Sequence, residues 1–504
     1  MKSKSSGPFS IQNRILKTVV NPISDLLAKI FNLSFQTGKF ITSLKTAKVI
    51  PIYKNKGSPQ DVTNYRPISL LSNIDKIFEK LVHSRVVKFF DKNEILFKNQ
   101  FGFRSKHSTT HALINLTEEI RCNVDKDMYC CGTFIDLQKA FDTVDHEILL
   151  TKLSHYGVRG NANLWFRSYL SNRKQFVFVS DANSVTREID HGVPQGSVLG
   201  PLLFIVYIND LPNVIKNSLT SLFADDTCLL SSAPDIHSLE VKVNEDLQSL
   251  SAWLKANKIA INTSKTEVLL FRSKRKKVLR NPHFTMDGQT LSLSPKVRYL
   301  GVILDEHLSW SFQTEFLASK LRKANGILTK LRHYIPLEVL ISIYYSLFHS
   351  HISYGAVVWG QNIKSNSRLC ILQKKAVRII TFSRHDSHSK PLFIETKIPF
   401  FTEFIFKLNV MLVHQTLNKI TPITIQNILR FTPLTHQYPT RNRSLQLLLK
   451  PKAKTLSFGL NSISYQSTLN WNQLLLHFRQ DLSTISLYSL SKKLRSFNEQ
   501  QNQF

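Results

Sequence analysis

Three carboxylates are the residues of this chain whose types and spacing could do chemistry. Asp225 and Asp226 stand side by side between the apolar, β-forming runs Ser221–Ala224 and Thr227–Leu230, a pattern that predicts strand, acidic turn, strand. Asp136 ends a second such run, Cys130–Ile135. Alone, paired aspartates between apolar runs read first as a solvated turn, because Asp accepts turn conformations. If the two stretches pair as neighbouring strands, however, their terminal carboxylates meet at one point. Three carboxylates there can hold two divalent cations roughly 4 Å apart, the spacing used for in-line displacement at phosphorus. Mg²⁺ suits the set, since it takes few carboxylates and completes its octahedron with water and substrate phosphates.

Other elements must position these groups. Residues 1–50 read as helical, with Ile23, Leu26, Leu27, Ile30 and Phe31 near a 3.6 period. Pro51 breaks that pattern and opens a basic loop with Lys54 and Lys56. An extended segment through Arg66 and Pro67 leads to a helix from about Asp75 to Phe90, and Ser108 has the chemistry to start another. Lys54, Lys56, Arg66 and Arg104 are either a solvated basic face or, around a metal pair, ligands for a triphosphate. Phe141–His146 begins a helix that Asp142 and Asp145 are expected to cap. Stretches 175–179 and 185–189 read as a β-ribbon. Between His191 and Pro201 the turn formers lead into an apolar helix, letting Gln195 and the Gly196 backbone approach a ligand closely. Residues 237–257 form an amphipathic helix, Asn262–Phe271 a turn and strand presenting Lys265, and 297–304 a last strand. Helical spacing returns from about Phe312, and Leu369–Ile380 carries Lys374, Lys375 and Arg378. Residues 386–504, rich in Ser, Thr, Asn and Gln, yield no legible fold.

Composition narrows the partner. With 504 residues the chain needs more than one lobe, and 66 Lys+Arg against 35 Asp+Glu leave a formal charge of +31, which points to a polyanion. The longest apolar run, Pro201–Ile208, is far short of a membrane span, so no membrane partner is expected. Met1–Pro8 lacks the apolar region of a secretory leader. The five cysteines have no zinc spacing and most lie in apolar strands, where thiols act as small hydrophobes. The expected location is nucleus and cytoplasm, without secretion.

Taken in order, Asn64–Leu71, Asn99–Arg104, Thr133–His146, Gly192–Leu211, Leu222–Thr227, Asn262–Phe271 and Arg298–Asp305 resemble the blocks of reverse transcriptases of non-LTR retrotransposons, most closely the jockey group. The resemblance implies an α+β right-hand polymerase with fingers, a ferredoxin-like palm, a helical thumb and a mostly helical C-terminal extension. The expected divisions are 1–40 as an N-terminal helical extension, 41–310 as fingers and palm, 311–385 as thumb, and 386–504 without a defined role. It further implies that Asp136, Asp225 and Asp226 are catalytic and bind two Mg²⁺ ions, with Mn²⁺ as a substitute. Lys54, Arg66 and Arg104 would hold the dNTP triphosphate, Gln195 and Gly196 would line the nucleotide pocket, Phe141 would lie under the sugar, and Lys265 would approach the leaving pyrophosphate.

The implied reaction is RNA-directed DNA synthesis from a primer 3′-hydroxyl, with RNA template, DNA primer, RNA–DNA duplex and dNTPs as partners. Members of the group usually carry an endonuclease ahead of the polymerase. Little precedes the fingers here, so the endonuclease is expected from another chain. The alternative is a catalytically inactive or splicing-helper RNA-binding protein derived from a retroelement.

Overall fold

The computed structural model describes residues 11–429 and 447–501; the leader expectation at Met1–Pro8 lies outside the described residues. Two helices come first, α1 (Asn13–Thr18) and α2 (Val20–Thr37). The helical reading then ends early, because β1 (Thr46–Tyr53) pairs antiparallel with β2 (Tyr65–Leu70), Lys48 opposite Leu70 and Tyr53 opposite Tyr65. Next come α3 (Asn73–Lys92) and α4 (Thr109–Asp125). Ser72 caps the first, its Oγ accepting from the Asp75 amide at 3.0 Å, and Ser108 caps the second at the His111 amide, 3.2 Å. Strand β3 (Tyr129–Asp136) is followed by α5 (His146–His155) and α6 (Asn161–Leu170). The ribbon is β4 (Arg173–Val179), β5 (Ala182–Asn183) and β6 (Arg187–Ile189). After α7 (Gly200–Tyr207) come β7 (Ser218–Phe223), β8 (Asp226–Ala233) and α8 (Ile236–Ala256).

Five short strands follow: β9 (Glu267–Phe271), β10 (Thr285–Met286), β11 (Gln289–Thr290), β12 (Lys296–Tyr299) and β13 (Val302–Asp305). From there the described chain is helical. It runs through α9 (Ser311–Leu331), α10 (Leu337–Ile343), a wider-wound stretch at Tyr344–His349, α11 (Ser350–Ser353), α12 (Ala356–Trp359) and α13 (Ile363–Ile380). Beyond Asp386, where the sequence was mute, lie α14 (Ser389–Thr396), α15 (Phe401–Leu417), α16 (Ile423–Leu429), α17 (Ile463–Phe478) and α18 (Leu487–Gln501).

The chain divides into two compact units. The first comprises Met1–Phe103, Ile135–Lys216 and Asp246–Thr263. Its five-stranded sheet has the order β2-β1-β4-β5, with β6 also on β4. Strand β4 runs parallel to β1 over Thr46–Val49 only. Beyond Val49 one edge of β1 is open on that side, and there the missing amide of Pro51 breaks no ladder, so the strand continues where a loop was expected. Aromatic side chains of α2, α3 and α6 make its core: Phe31 stacks on Phe78 at 4.2 Å, and Trp165 meets Phe78 edge-on at 5.4 Å.

The second unit comprises Arg104–Phe134, Asn217–Glu245 and Ser264–Phe504. Its four-stranded sheet has the order β7-β8-β3-β9. Strand β3 is antiparallel to β9, Cys130 opposite Phe271, and is buried along its length except at Asp136. Gly132 leaves room for two rings there: a Cβ would stand 3.0 Å from the Phe134 ring and 3.1 Å from the Phe271 ring, so both would have to shift. Helix α4 packs against β7 and β8, and α9 pairs with α13. Residues of α15, α17 and α18, with Leu447 and Leu448, form a further apolar cluster around Trp471. The class is α+β, as expected. Cys130, Cys131 and Cys228 are buried in β3 and β8 and unlinked.

Candidate active site

Asp136 closes β3 and is half-buried. Its carbonyl accepts from the Asn262 amide at 2.9 Å, and the Gln138 amide donates to the Ala260 carbonyl at 2.8 Å, so the strand end is held by the stretch after α8. Asp145 caps α5 as expected, its Oδ1 accepting from the Ile148 amide at 3.0 Å. The Lys258 ammonium 2.7 Å from Oδ2, and then that amide, hold its carboxyl below the usual range. The companion cap from Asp142 does not form. The helix begins at His146, leaving Asp142 out of reach of the first free amides. Its Oδ1 instead accepts from Gln195 Nε2 at 3.0 Å, and burial raises its pKa against that bond.

The turn-rich stretch before α7 is pinned to β2. The Ser69 amide donates to the Gln195 carbonyl at 2.7 Å. Gly196 follows at φ 122°, where a Cβ would stand 2.5 Å from the Ser69 carbonyl oxygen, so only glycine passes. Phe141 is half-buried, stacked on Phe204 at 4.7 Å and edge-on to Phe103 at 6.2 Å. Lys54 and Arg66 are both exposed at the outer end of the β1–β2 pair, and Lys54 Nζ donates to the Thr63 carbonyl at 2.9 Å. The first unit thus gathers Asp142, Gln195 and Gly196 in one bonded set. Lys54 and Arg66 share one strand pair.

In the second unit, β7 and β8 form a hairpin with Phe223 opposite Asp226. The turn is therefore Ala224–Asp225, and Asp226, expected in the turn, is the first residue of β8. Both carboxylates are exposed, whereas Thr227 and Cys228 are buried. Ala224 has φ 54°, at the position where two-residue hairpins ordinarily use glycine. An L-residue there costs roughly 1–2 kcal/mol, the kind of local strain that collects at functional turns. Lys265 is exposed at the end of the turn Thr263–Lys265, and Arg104 is half-buried.

The donor chemistry of Asp136, Asp225 and Asp226 is carboxylate only, which suits a hard divalent cation such as Mg²⁺. Among the described residues no group of three or more His, Cys, Asp or Glu side chains is gathered as a metal cluster.

One cluster escaped the sequence reading. Asp75 and Glu79, one turn apart on α3, are both fully buried, together with Tyr169 of α6 and Arg173 of β4. Glu79 accepts from the Tyr169 hydroxyl and, at 2.6 Å, from the Val198 amide just before α7. It thereby fixes the far end of the Gln195–Gly196 stretch. Neither Asp75 oxygen has a hydrogen-bond partner among the described residues. Two acids at i and i+4 repel on a solvated helix, and their position beside Phe78 and Val82 was the signal available in the sequence.

Burial, then the Glu79 charge, pushes the Asp75 pKa up to about 8. An acid with a raised folded pKa holds its proton in the folded state while the unfolded chain has lost it. The stabilising difference shrinks as pH climbs from about 4 towards the folded value. Asp75→Asn is therefore expected to leave the melting temperature unchanged at pH 4 and to raise stability at pH 8 by at least about 1.4 kcal/mol, one pK unit. Parallel melts at the two pH values measure it, and equal shifts at both would contradict it.

Comparison with known families then decides the assignment. The family model for reverse transcriptase (RNA-dependent DNA polymerase) matches residues 52–304, about half of the chain and all of the candidate site residues. The chain belongs to the reverse transcriptase family. It is 32% identical over 396 residues to the probable RNA-directed DNA polymerase from transposon BS of Drosophila melanogaster, covering 75% of this chain and 43% of that protein. The RNA-directed DNA polymerase from mobile element jockey of the same organism is 30% identical over 410 residues, covering 79% of this chain and 44% of the relative. The chain thus spans less than half the length of these relatives, which are of the non-LTR group the sequence resembled. Among solved structures, telomerase from Candida albicans aligns over 77% of this chain and 71% of its own with a TM-score of 0.40 at 11% identity, a likeness too slight to build on. Reverse transcriptases as a family depend on divalent metal, and the α+β class found here is that of the right-hand polymerases. Among the described residues, no helix is long and apolar enough to cross a membrane.

Proposed function

We propose that the chain is the RNA-directed DNA polymerase of a non-LTR retrotransposon, adding deoxynucleotides to a primer 3′-hydroxyl under the direction of an RNA template. The observation that carries this reading is the strand order β7-β8-β3-β9 within a reverse transcriptase match. Strand β3, which ends in Asp136, is the hydrogen-bonded neighbour of β8, which begins with Asp226 and follows Asp225. In this reading Asp136, Asp225 and Asp226 hold two Mg²⁺ ions, with Mn²⁺ as a substitute. Bound there, the ions would supply activation of the 3′-hydroxyl and neutralisation of the leaving pyrophosphate. The side chains need form no covalent bond, since such transfers are carried by positioning and charge.

Lys54, Arg66 and Arg104 take the triphosphate, and Lys265 stands by the pyrophosphate as a general acid, a contribution of about 10²–10⁴ where it operates. Gln195 is oriented by its bond to Asp142, and Gly196 lets the backbone come close to the nucleotide. The basic surplus grips the RNA template, DNA primer and their duplex by the phosphates, without reading sequence. Incorporation of labelled dNTP on a primed RNA template tests the reading. Product that requires the RNA template and divalent metal is expected, and RNA binding without any extension would instead favour the inactive RNA-binding alternative.

Phe141 is assigned to sugar selection. Its ring is supported from one side by Phe204 and remains half-buried, a firm surface against which a 2′-hydroxyl would clash. Space must do this work, because an apolar pocket with room to spare discriminates poorly against an added hydroxyl. Phe141→Val is expected to raise NTP incorporation relative to dNTP by about tenfold or more, at least about 1.4 kcal/mol. If the ring only fills the core above Phe204, both substrates slow together at an unchanged kcat/KM ratio, and the melting temperature falls.

A further inference from the structure

C-terminal residues, silent in the sequence, are bound to α4 by a set of polar contacts. Helix α4 is largely enclosed: Leu113, Ile114, Leu116 and Ile120 are fully buried, Glu118 and Arg121 are 6% and 2% exposed, and Cys122 alone on the helix is exposed. It packs against β7 and β8. Glu118, Arg121 and Asp125 recur at i, i+3 and i+7, one face of the helix.

That face captures main-chain groups more than 300 residues away. Asp125 Oδ2 accepts from the Lys454 amide at 2.9 Å, and Oδ1 accepts from the Thr455 amide and hydroxyl, each at 2.7 Å. The two Glu118 oxygens accept from the Ile463 amide at 2.8 Å and the Ser464 amide at 3.1 Å. Arg121 Nη1 donates to the Asn461 carbonyl. Ile463 and Ser464 are the first residues of α17, whose leading amides have no partner within the helix, so a carboxylate there both pairs them and suits the helix dipole. Gly459 belongs to the fit, since a Cβ would stand 2.8 Å from Asp125 Oδ1. Helix α17 in turn packs on α15 and α18 around Trp471.

We propose that Lys454–Ser464 with α17 is a brace that holds α4 in place and, through α4, the β7–β8 hairpin that carries Asp225 and Asp226. Asp125 and Glu118 are then positioning residues, and the C-terminal helices are part of the polymerase fold, not an appendage with its own task. The proposal rests on the catalytic reading of that hairpin.

The test uses the full chain and two readouts, deuterium exchange by peptide and single-turnover primer extension. For Asp125→Ala, exchange is expected to rise at least tenfold in 454–464 and also in 218–233. Its kcat should fall at least tenfold while KM for dNTP stays within twofold. Asp125→Asn keeps the Oδ1 acceptor and should recover most of both. Thr455→Val, which removes the hydroxyl's bond to Asp125 and its acceptance from the Phe458 and Gly459 amides, should move both readouts the same way and serves if Asp125→Ala does not fold. Faster exchange confined to 454–464, with 218–233 and kcat as in the wild type, would overturn the brace. A wild-type chain that never extends primers would defeat the catalytic reading instead, and the exchange in 218–233 would still decide the brace.

Discussion

Raising the salt is expected to weaken the hold on a primer–template about 10³-fold between roughly 50 and 200 mM, the loss that six or so phosphate contacts produce. The surplus of +31 supplies more cations than that. Several are well placed: Lys320, Arg322 and Lys323 of α9 and Lys374 and Lys375 of α13 are exposed on two helices packed together. Release of condensed counterions drives such binding, so the logarithm of affinity should fall linearly with the logarithm of salt. Fluorescence anisotropy with a labelled RNA–DNA hybrid measures the slope. Lys374→Gln with Lys375→Gln should lower it by about two contacts while leaving any sequence preference unchanged. A flat titration would mean that the charge serves solubility alone.

What the sequence disclosed was local chemistry. The hairpin around Asp225, the strand end at Asp136, and the caps at Ser108 and Asp145 were legible because each depends on residues within a few positions. The misreadings share the opposite cause. Strand β1 was read as a helix tail and a loop because its identity comes from β2 and β4, the latter more than a hundred residues on. The Asp142 carboxyl was given to a helix start when its partner, Gln195, lies 53 residues downstream. Glu79 meets Val198 across 119 residues.

The C-terminal helices stayed hidden for another reason. Polar residues occupy their buried faces: Asn409 and Ser467 are fully enclosed, and Asn409 exchanges bonds of 2.7 and 3.0 Å with Gln361. A hydrophobic period blurred in this way cannot be seen without the partners that satisfy those groups.

Asp225→Asn and Asp136→Asn should each slow nucleotide addition by at least about 10²-fold, the usual cost of losing one charge partner of a phosphoryl-transfer transition state. The substitution keeps size, removes the charge and turns one acceptor oxygen into a donor. Asp225 is exposed in its two-residue turn, beside the buried Ala224, so the fold should tolerate it. RNA affinity should hardly change, because these carboxylates are assigned to metal and the grip on the duplex comes from lysine and arginine. Asp226→Asn belongs to the same series and, as the first residue of β8, should affect stability no more than its neighbour.

The most direct test of the account is the single-turnover rate of dNTP addition to a primed RNA template, measured for the wild type and Asp225→Asn at equal RNA occupancy. The account predicts template-dependent extension by the wild type, a rate at least about 10²-fold lower for Asp225→Asn, and RNA binding the same in both. Extension by Asp225→Asn at the wild-type rate would contradict it.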